Sequence, residues 1–489
     1  MHVRPPQALR LRQPAPDWTP GPPPGMGARM KMLMLAAAAL IAAPVAAAPA
    51  KKPVKPRPAA ARVVKPAVET PAPDTPEVQA LRRAFHYAFP VYEMMRTRAG
   101  VVTRAQAAGA SGVNMIFARK RLADATTRDV TTPNNDTLYA TAWLDLANGP
   151  VTLTVPDLAG RYNSAALMNL FTDNVAILDS RTGGGGTYTI AGPGFAGKAP
   201  EGTTLVKLDT NDAWLLVRVY VNGAADLDAA GAAIDRYTLS GGGAAVPMVA
   251  VPTATPDAPT LLAVVNEALG RSGIAPRHAD LGIRPGVSDA WAELPPETRK
   301  LWTDTLPALR RELKGGFAQV GTVVDGWSYP GPGIGNFSDD DAGRAAVALG
   351  GLAALPRQEA VYLSASADKD GAPLTGAKAY TVKIPPRPPV GAFWSLTLYK
   401  VEPDGRLFFI DNPLSRFSIG SGSRSIHYER DGSLDIFVQQ TRPSGERVVN
   451  WLPAPPGPFR LVWRAYLPKA ELLDGSFRLP PVVATEVVP

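Results

Sequence analysis

Residues 132–139 read Thr-Pro-Asn-Asn-Asp-Thr-Leu-Tyr and lead directly into 140–146, Ala-Thr-Ala-Trp-Leu-Asp-Leu. The second segment is predicted to be a strand, and the proline at 133 biases Thr132 toward an extended conformation. Asn and Asp side chains ahead of a strand have two interpretations. They bond their own backbone and stabilise a turn, or they form a small polar site at the edge of a sheet.

Similar strand signals occupy two regions of the chain. Short runs rich in Val, Leu, Thr and Tyr, separated by turn residues, are typical of antiparallel sheets. In the first region they cover 151–155, 164–170, 187–190 and 213–221. In the second they cover 360–364, 379–384, 393–399, 434–439 and 459–467, with hairpin signals at Asp404-Gly405 and Asp431-Gly432.

Helical periodicity precedes and separates these regions. Residues 77–98 are predicted to form a helix that Pro90 kinks or ends, and 258–320 holds two more helices, followed by a Gly/Asp-rich loop at 322–342. We therefore expect an α+β fold, with two mainly antiparallel β-sandwich (jelly-roll-like) regions joined by a helical segment.

An internal similarity links the two β regions. The segment from Gly160 to Leu167 resembles the segment from Gly391 to Leu398, and Val-Arg-Val-Tyr at 217–220 resembles Trp-Arg-Ala-Tyr at 463–466. One hypothesis is that the halves are related. The alternative is that amphipathic strands look alike by chance. Matching strand orders would support the first, and unrelated orders would refute it.

The N-terminus has the layout of a secretory signal peptide. Arg29 and Lys31 precede an apolar run at 32–43, and small residues near Ala48 fit a cleavage site. The alternative is an uncleaved anchor. We expect a periplasmic or secreted protein, with residues 1–48 as upstream segment and signal peptide and 49–75 as a Pro/Lys/Ala-rich linker.

Composition excludes several classes of protein. The 489 residues include no cysteine, so disulfides and thiolate sites are absent. The net charge of +8 comes from residues 1–48 and 49–75, which carry +4 each, and the remaining body is neutral. Nucleic-acid binding therefore loses its electrostatic basis. The membrane is expected to be a partner only through the signal segment, and homo-oligomer formation is left open.

Longer motifs resemble two known families. Those at 87–90, 133–139, 155–162 and 192–194 resemble domain of unknown function 1254, and those at 392–399, 412–420, 431–434, 450–459 and 479–481 resemble domain of unknown function 1214. The resemblance implies a mixed helical and sheet fold with a jelly-roll-like C-terminal sandwich, in secreted bacterial proteins. It implies no activity. We assign 76–245 to the first module, 246–357 to a helical and loop connector, and 358–489 to the second module.

Candidate site residues follow from chemistry rather than from a catalytic motif. Asp136 and Arg161 are the catalytic candidates, because a desolvated Asp can act as a general acid or base. The ligand-binding candidates are Asn134, Asn135, Tyr139, Tyr162, Trp394, Arg416, Asn450 and Trp451. The two tryptophans are alternatively core residues, and Arg416 and Arg464 are alternatively buried with a carboxylate such as Asp411 or Asp435. Binding of a hard cation by the oxygens of residues 134–136 ranks below these interpretations, so no metal site is predicted, and the cofactor is left open.

Two functions remain open at this stage. The first is an exported protein that binds a small molecule or glycan in a polar cleft. The second is a carboxylate-dependent hydrolase or lyase of the bacterial envelope, with Asp136 and Arg161 at its centre. A pair of carboxylates roughly 5–9.5 Å apart in a pocket would favour the enzyme.

Overall fold

The computed structural model describes residues 74–107, 109, 112–128, 130–179, 184–316, 321–403 and 405–487. The predicted signal peptide and almost all of the predicted linker lie outside these residues. The described residues belong to one compact unit. No helix in this part of the chain is both long enough and apolar enough to cross a membrane.

The first half opens with a long helix and continues as a β-sandwich. Its helices are α1 (Pro76–Ala107) and α2 (Leu227–Ile234). Its strands are β1 (Phe117–Arg119), β2 (Thr137–Asp145), β3 (Val151–Val155), β4 (Asn163–Met168), β5 (Asn174–Asp179), β6 (Gly186–Ala191), β7 (Thr204–Lys207), β8 (Asp212–Tyr220) and β9 (Thr238–Gly241).

Helix α1 differs from its prediction, because it runs through Pro90 and ends at Ala107 rather than at residue 98. Pro90 has no N–H to donate to the carbonyl of His86, which normally weakens a helix. Phe89 and Val91 on either side are buried in the core that α1 shares with the helices after the first half. Tertiary packing therefore overrides the local effect of the proline.

The strands of the first half form two layers. One sheet has the order β1-β2-β8-β4-β5 and the other has the order β7-β6-β3-β9. Alternate residues of β2, such as Leu138, Ala140 and Leu144, fill the core between the sheets. The opposite face of β2 therefore looks away from the sandwich, and Tyr139 lies on it.

A helical stretch joins the halves and covers part of this outer face. Its elements are α3 (Ala258–Arg271), α4 (Ala290–Glu293), α5 (Pro296–Gly316), β10 (Thr322–Val324), β11 (Trp327–Tyr329) and α6 (Asp341–Gly350). Trp143, Met168 and Leu216 of the five-stranded sheet pack in the same core as these helices. The segment predicted as a loop at 322–342 contains the two short strands.

The second half is another β-sandwich. Its elements are β12 (Ala360–Ala365), β13 (Ala379–Ile384), β14 (Trp394–Val401), β15 (Leu407–Phe408), β16 (Ser418–Gly420), β17 (Leu434–Gln439), β18 (Trp451–Pro453), β19 (Phe459–Tyr466), α7 (Ala470–Leu473) and β20 (Val483–Thr485). One sheet runs β10-β11-β12-β19-β14-β15, with β16 also beside β14, and the other runs β18-β17-β13-β20. Their apolar inner faces share one core.

The two halves have the same strand order. The row β2-β8-β4-β5 corresponds to β12-β19-β14-β16, and the row β7-β6-β3-β9 corresponds to β18-β17-β13-β20. The pairs β6–β7 and β17–β18 are also both parallel. The α+β fold with two mainly antiparallel regions joined by helices is confirmed, and the matching orders support the hypothesis that the halves are related.

Candidate functional site

The carboxylate of Asp136 is buried against the second half. Ser395 Oγ donates to its Oδ2 at 2.6 Å, and Ser418 Oγ lies 3.5 Å from its Oδ1. Burial raises the pKa of Asp136, while the charge of Arg464 and the two serine hydroxyls oppose this rise. The carboxylate therefore joins the two halves instead of bonding its own backbone.

The contacts of Asn134 and Asn135 fit both interpretations of the segment at 132–136, which we call the corner. Asn134 Oδ1 accepts from the backbone N–H of Asp136 at 2.7 Å, as expected of a turn. Its Nδ2 donates to Tyr466 Oη in the second half, also at 2.7 Å. Asn135 Oδ1 accepts from Ser418 Oγ at 3.0 Å. The corner is a turn that also docks on the other half.

The backbone ahead of the corner is strained. Thr132 has φ +55°, so the expectation of an extended conformation is wrong. Contacts with the second half explain the difference: Thr132 N donates to Leu407 O at 2.8 Å, and Tyr399 Oη donates to Pro133 O at 2.6 Å. A β-branched residue in this region costs about 1–3 kcal/mol, which these contacts must offset.

Glu359 holds the position in the second half that Asp136 holds in the first. The carbonyl of Asp136 accepts from Val221 N, and the carbonyl of Glu359 accepts from Leu467 N, both at 2.9 Å. The Glu359 side chain reaches back to the first half, where Tyr162 Oη donates to its Oε1 at 2.7 Å. Each half thus presents one carboxylate to hydroxyls of the other.

Arg218 and Arg464 are buried at equivalent positions on the central strands, with 4% and 2% of their surfaces exposed. The cross-strand neighbours are Tyr139 and Ser164 for Arg218, and Tyr362 and Ser395 for Arg464. All lie on the outer faces of the sheets, where the halves meet. Each half therefore contributes the same row of tyrosine, arginine and serine.

The two guanidinium groups differ in their partners. Arg464 donates from Nη1 to Thr397 Oγ1 at 2.8 Å and from Nη2 to Tyr399 Oη at 2.7 Å. Arg218 donates from Nη2 to Ala353 O at 3.2 Å, and its Cζ lies 5.7 Å from the ring centroid of Tyr139. Within the described part of the chain, Nε and Nη1 of Arg218 and Nε of Arg464 have no hydrogen-bond partner.

Aromatic rings close one side of this region. Phe393 is stacked between Tyr220 and Tyr466, with ring centroids 3.9 and 4.2 Å away, and Tyr162 meets Phe393 edge-on at 5.4 Å. Burial raises the pKa of Tyr220 to about 12 and that of Tyr162 and Tyr466 well above the usual value. These hydroxyls are therefore neutral at physiological pH.

These side chains define an inter-half cluster with an opening. Its members are Asp136, Tyr139, Tyr162, Ser164, Arg218 and Tyr220 of the first half, and Glu359, Tyr362, Phe393, Ser395, Tyr399, Arg464 and Tyr466 of the second. Most are buried, but Tyr139 and Tyr362 are only half-buried. The cluster reaches solvent at these two rings, and we call this part of its surface the tyrosine cleft.

Arg161 lies outside the cluster's hydrogen-bonded centre. Its Nη2 donates to Asp226 Oδ1 at 2.7 Å, and its Nη1 donates to Tyr220 O at 2.6 Å. The hydrogen bond to Asp226 raises the pKa of Arg161 further, so its charge is already neutralised by a local partner. The structure does not pair Arg161 with Asp136 through any contact.

The four predicted binding residues of the second module hold that module together. Trp394 and Trp451 are 5% and 1% exposed, so neither presents a ring face to solvent. Arg416 Nη1 donates to the carbonyls of Val448, Val449 and Trp451. Asn450 bonds both the N–H and the carbonyl of His427. Of the predicted ligand-binding residues, Asn134, Asn135, Tyr139 and Tyr162 are brought together and these four are not.

Sequence reasoning missed Arg218, Glu359, Tyr362 and Ser395 as site residues. The internal similarity already contained a signal, because it aligned two arginines inside otherwise apolar strands. The expected partner of Arg464 was also wrong: the carboxylate that acts on it is Asp136, not Asp411 or Asp435. Asp435 instead pairs with Lys383 at 2.8 Å.

An open cavity of about 520 Å³ lies elsewhere, between α1, α5, α6 and the glycine-rich loop before α6. Its polar lining is already engaged: Glu312 accepts from Arg82 at 2.9 Å, and Asp340 caps α6 through Gly343 N at 2.8 Å. Burial lowers the pKa of His86 on its wall. The polar residues of this cavity are already engaged, whereas polar side chains of both halves meet in the inter-half cluster.

Metal ligands do not converge in the described residues. No three His, Asp or Glu side chains there are close enough together to hold an ion. The polar groups of the inter-half cluster are hydroxyls, guanidinium groups and the carboxylates of Asp136 and Glu359.

Comparison with known proteins agrees with the two-module architecture. Residues 113–241 match the family described as "Protein of unknown function (DUF1254)", and residues 359–470 match "Protein of unknown function (DUF1214)". The paired resemblance predicted from the sequence is therefore confirmed. No curated protein matches the chain.

Two solved structures are similar to the chain. The VPA0106 protein from Vibrio parahaemolyticus is 24% identical, with a TM-score of 0.62 over 84% of this chain and 100% of that chain. A putative uncharacterized protein from Burkholderia cenocepacia is 14% identical, with a TM-score of 0.42 over 85% of this chain and 91% of that chain. The first similarity shows the fold alone.

Proposed function

We propose that this is an exported protein that binds a small molecule in the tyrosine cleft. The observation that carries this proposal is the convergence of polar groups from both halves on one cluster, which reaches solvent at Tyr139 and Tyr362. A site lined by aromatic rings, with a few fixed polar groups, is the usual design for orienting a small organic ligand.

Binding is favoured over the hydrolase or lyase alternative. That alternative needs Asp136 to exchange a proton with a substrate and Arg161 to assist. Asp136 is only 9% exposed and accepts from hydroxyls of the second half, while Arg161 is engaged with Asp226. Neither side chain is free for chemistry in this arrangement, so the cluster supports recognition without turnover.

Replacing Tyr139 with alanine is expected to weaken binding of a cleft ligand at least tenfold. The half-buried ring forms one wall of the cleft, and losing such a contact costs about 1.4 kcal/mol or more. A thermal-shift screen of sugars, amides and carboxylates would identify a ligand, and calorimetry would measure its affinity for wild type and variant.

Tyr428→Ala is the matched control, because Tyr428 is 48% exposed and is not a member of the inter-half cluster. It should bind the ligand as wild type does. If Tyr139→Ala also binds with unchanged affinity, the site lies elsewhere. If no compound in the screen shifts the wild type, the binding proposal is wrong.

Export is a proposal that rests on the sequence of residues 26–48. Expression of the full chain in a bacterium, followed by fractionation and N-terminal sequencing, is expected to give periplasmic or secreted protein that begins close to residue 49. A chain lacking residues 26–48 should stay in the cytoplasm. Equal distribution of both chains would refute export through this segment.

A further inference from the structure

Residues 244–255 form an irregular surface segment that links the first half to the helical stretch, and we call it the strap. It follows β9 and precedes α3, and it contains no helix or strand. In the described part of the chain, none of its backbone groups forms a hydrogen bond with another backbone group. The strap therefore lacks the ladder of hydrogen bonds that protects the backbone of a helix or a strand.

Side chains of the surrounding fold hold the strap near its two ends. Asp145 Oδ2 accepts from Val246 N at 2.7 Å, and Arg271 Nη1 donates to Val246 O at 2.8 Å. Further along, Tyr92 Oη accepts from Thr253 N at 2.7 Å and donates to Thr253 O at 2.8 Å. Each end of the strap is therefore fixed to the fold by contacts of its own.

The middle of the strap is open to solvent. Val249 and Val251 are 85% and 74% exposed. Glu267 accepts from Val249 N at 2.7 Å and from Ala250 N at 2.6 Å, but no carbonyl of residues 247–252 accepts a hydrogen bond within the described residues. An endoprotease binds its substrate through backbone groups and through pockets for side chains, and exposed surface segments are its preferred targets. The middle of the strap presents both kinds of group.

The composition of the strap selects a class of protease. Residues 244–255 are Ala, Val, Pro, Met and Thr, with no Lys, Arg or aromatic residue. Pockets of the trypsin and chymotrypsin type therefore find no preferred residue, whereas a small apolar pocket of the elastase type accepts Val249 or Ala250. Pro247 and Pro252 disfavour cleavage at their own nitrogens, because proline has no N–H and restricts the residue before it.

A cut in the strap would leave the two fragments associated. Ser395 Oγ donates to Asp136 at 2.6 Å and Tyr162 Oη donates to Glu359 at 2.7 Å, so each of these contacts would join one fragment to the other. Helix α1 also shares a core with α3 and α5, which lie beyond the strap. The modules would then remain in contact without a covalent link.

We propose that the strap is a cleavage site for an endoprotease that accepts a small aliphatic side chain before the cleaved bond. One water molecule is the only co-reactant. Its hydroxyl adds to the carbonyl carbon of residue 249 or 250, the C–N bond breaks, and the proton passes to the nitrogen of the next residue. The product is a two-chain protein, and ligand binding in the tyrosine cleft is not required for the step.

Limited digestion of the full protein with pancreatic elastase tests the proposal. Mass spectrometry of the fragments is expected to place the first cut within the described residues between positions 247 and 251, and size-exclusion chromatography should give both fragments in one peak. Trypsin should leave the strap intact. A first elastase cut elsewhere in the described residues would overturn the proposal, and fragments that separate would overturn the two-chain product.

Val249→Lys tests the exposure of the strap apart from the preference of elastase. Trypsin is expected to cut this variant after residue 249 about tenfold faster, or more, than it cuts Val323→Lys after residue 323. Val323 is the matched control, because it is 66% exposed but lies on β10, which pairs with β11. Equal rates in the two variants would mean that the strap is no more accessible to a protease than a paired strand, and would overturn the proposal.

Discussion

Arg464→Met is expected to lower the free energy of unfolding by about 3–5 kcal/mol, whereas Arg218→Met should change it by less than about 1 kcal/mol or raise it. Removing Arg464 leaves Thr397, Tyr399 and the Asp136 carboxylate buried without their donor or counter-charge. Removing Arg218 breaks one hydrogen bond, to Ala353, and eliminates a buried charge with unpaired donors.

Urea denaturation at neutral pH, in a buffer without carboxylates or phosphate, would measure both values. The two substitutions are chemically identical and occupy equivalent strands, so each is the control for the other. Equal losses in both variants would mean that the interactions of Arg218 stabilise the fold as much as those of Arg464.

Asp136→Ala is expected to cost about 2–3 kcal/mol, because it leaves the hydroxyls of Ser395 and Ser418 without their acceptor. Asp136→Asn keeps an acceptor oxygen and the volume of the side chain. It also removes a charge that burial disfavours. We therefore expect Asp136→Asn to unfold within about 1 kcal/mol of wild type at neutral pH.

The raised pKa of Asp136 also sets the sign of a pH dependence. Its folded pKa lies above its unfolded value, so the folded state binds more protons than the unfolded state between the two. The contribution of Asp136 to stability is then greatest below the unfolded value and declines as pH rises through the folded pKa. Relative to wild type, Asp136→Asn should gain stability as pH is raised across this window.

Parallel urea titrations of wild type and Asp136→Asn from acid to neutral pH would show this difference directly. Subtracting the two curves removes the contributions of all other titrating groups. A difference that moves in the opposite direction would mean that Arg464 holds the carboxylate ionised, with a lowered pKa, and that the cluster is more polar than its burial indicates.

The sandwich halves were predictable because their signal is local. The predicted strands 151–155 and 379–384 coincide with β3 and β13, since alternation of apolar and polar residues is fixed by which face is buried. The similarity of 217–220 to 463–466 also located equivalent strands. Both predictions use patterns of neighbouring residues, so they do not require knowledge of how the two halves pack together.

The features that could not be predicted from the sequence depend on contacts between residues that are far apart in the chain. Thr132 adopts a left-handed conformation because Leu407 and Tyr399 hold it there. Helix α1 continues through Pro90 because the surrounding core buries both sides of it. The partners of Arg464, Thr397 and Tyr399, lie on the neighbouring strand β14, far from Arg464 in the sequence. No local pattern reveals these contacts.

The central claim is that the tyrosine cleft binds a small organic molecule, and a crystal soak tests it directly. Crystals of the protein soaked in the compound that gives the largest thermal shift are expected to show electron density against the rings of Tyr139 and Tyr362. Density for the compound at another site, with none beside these two rings, would contradict the account.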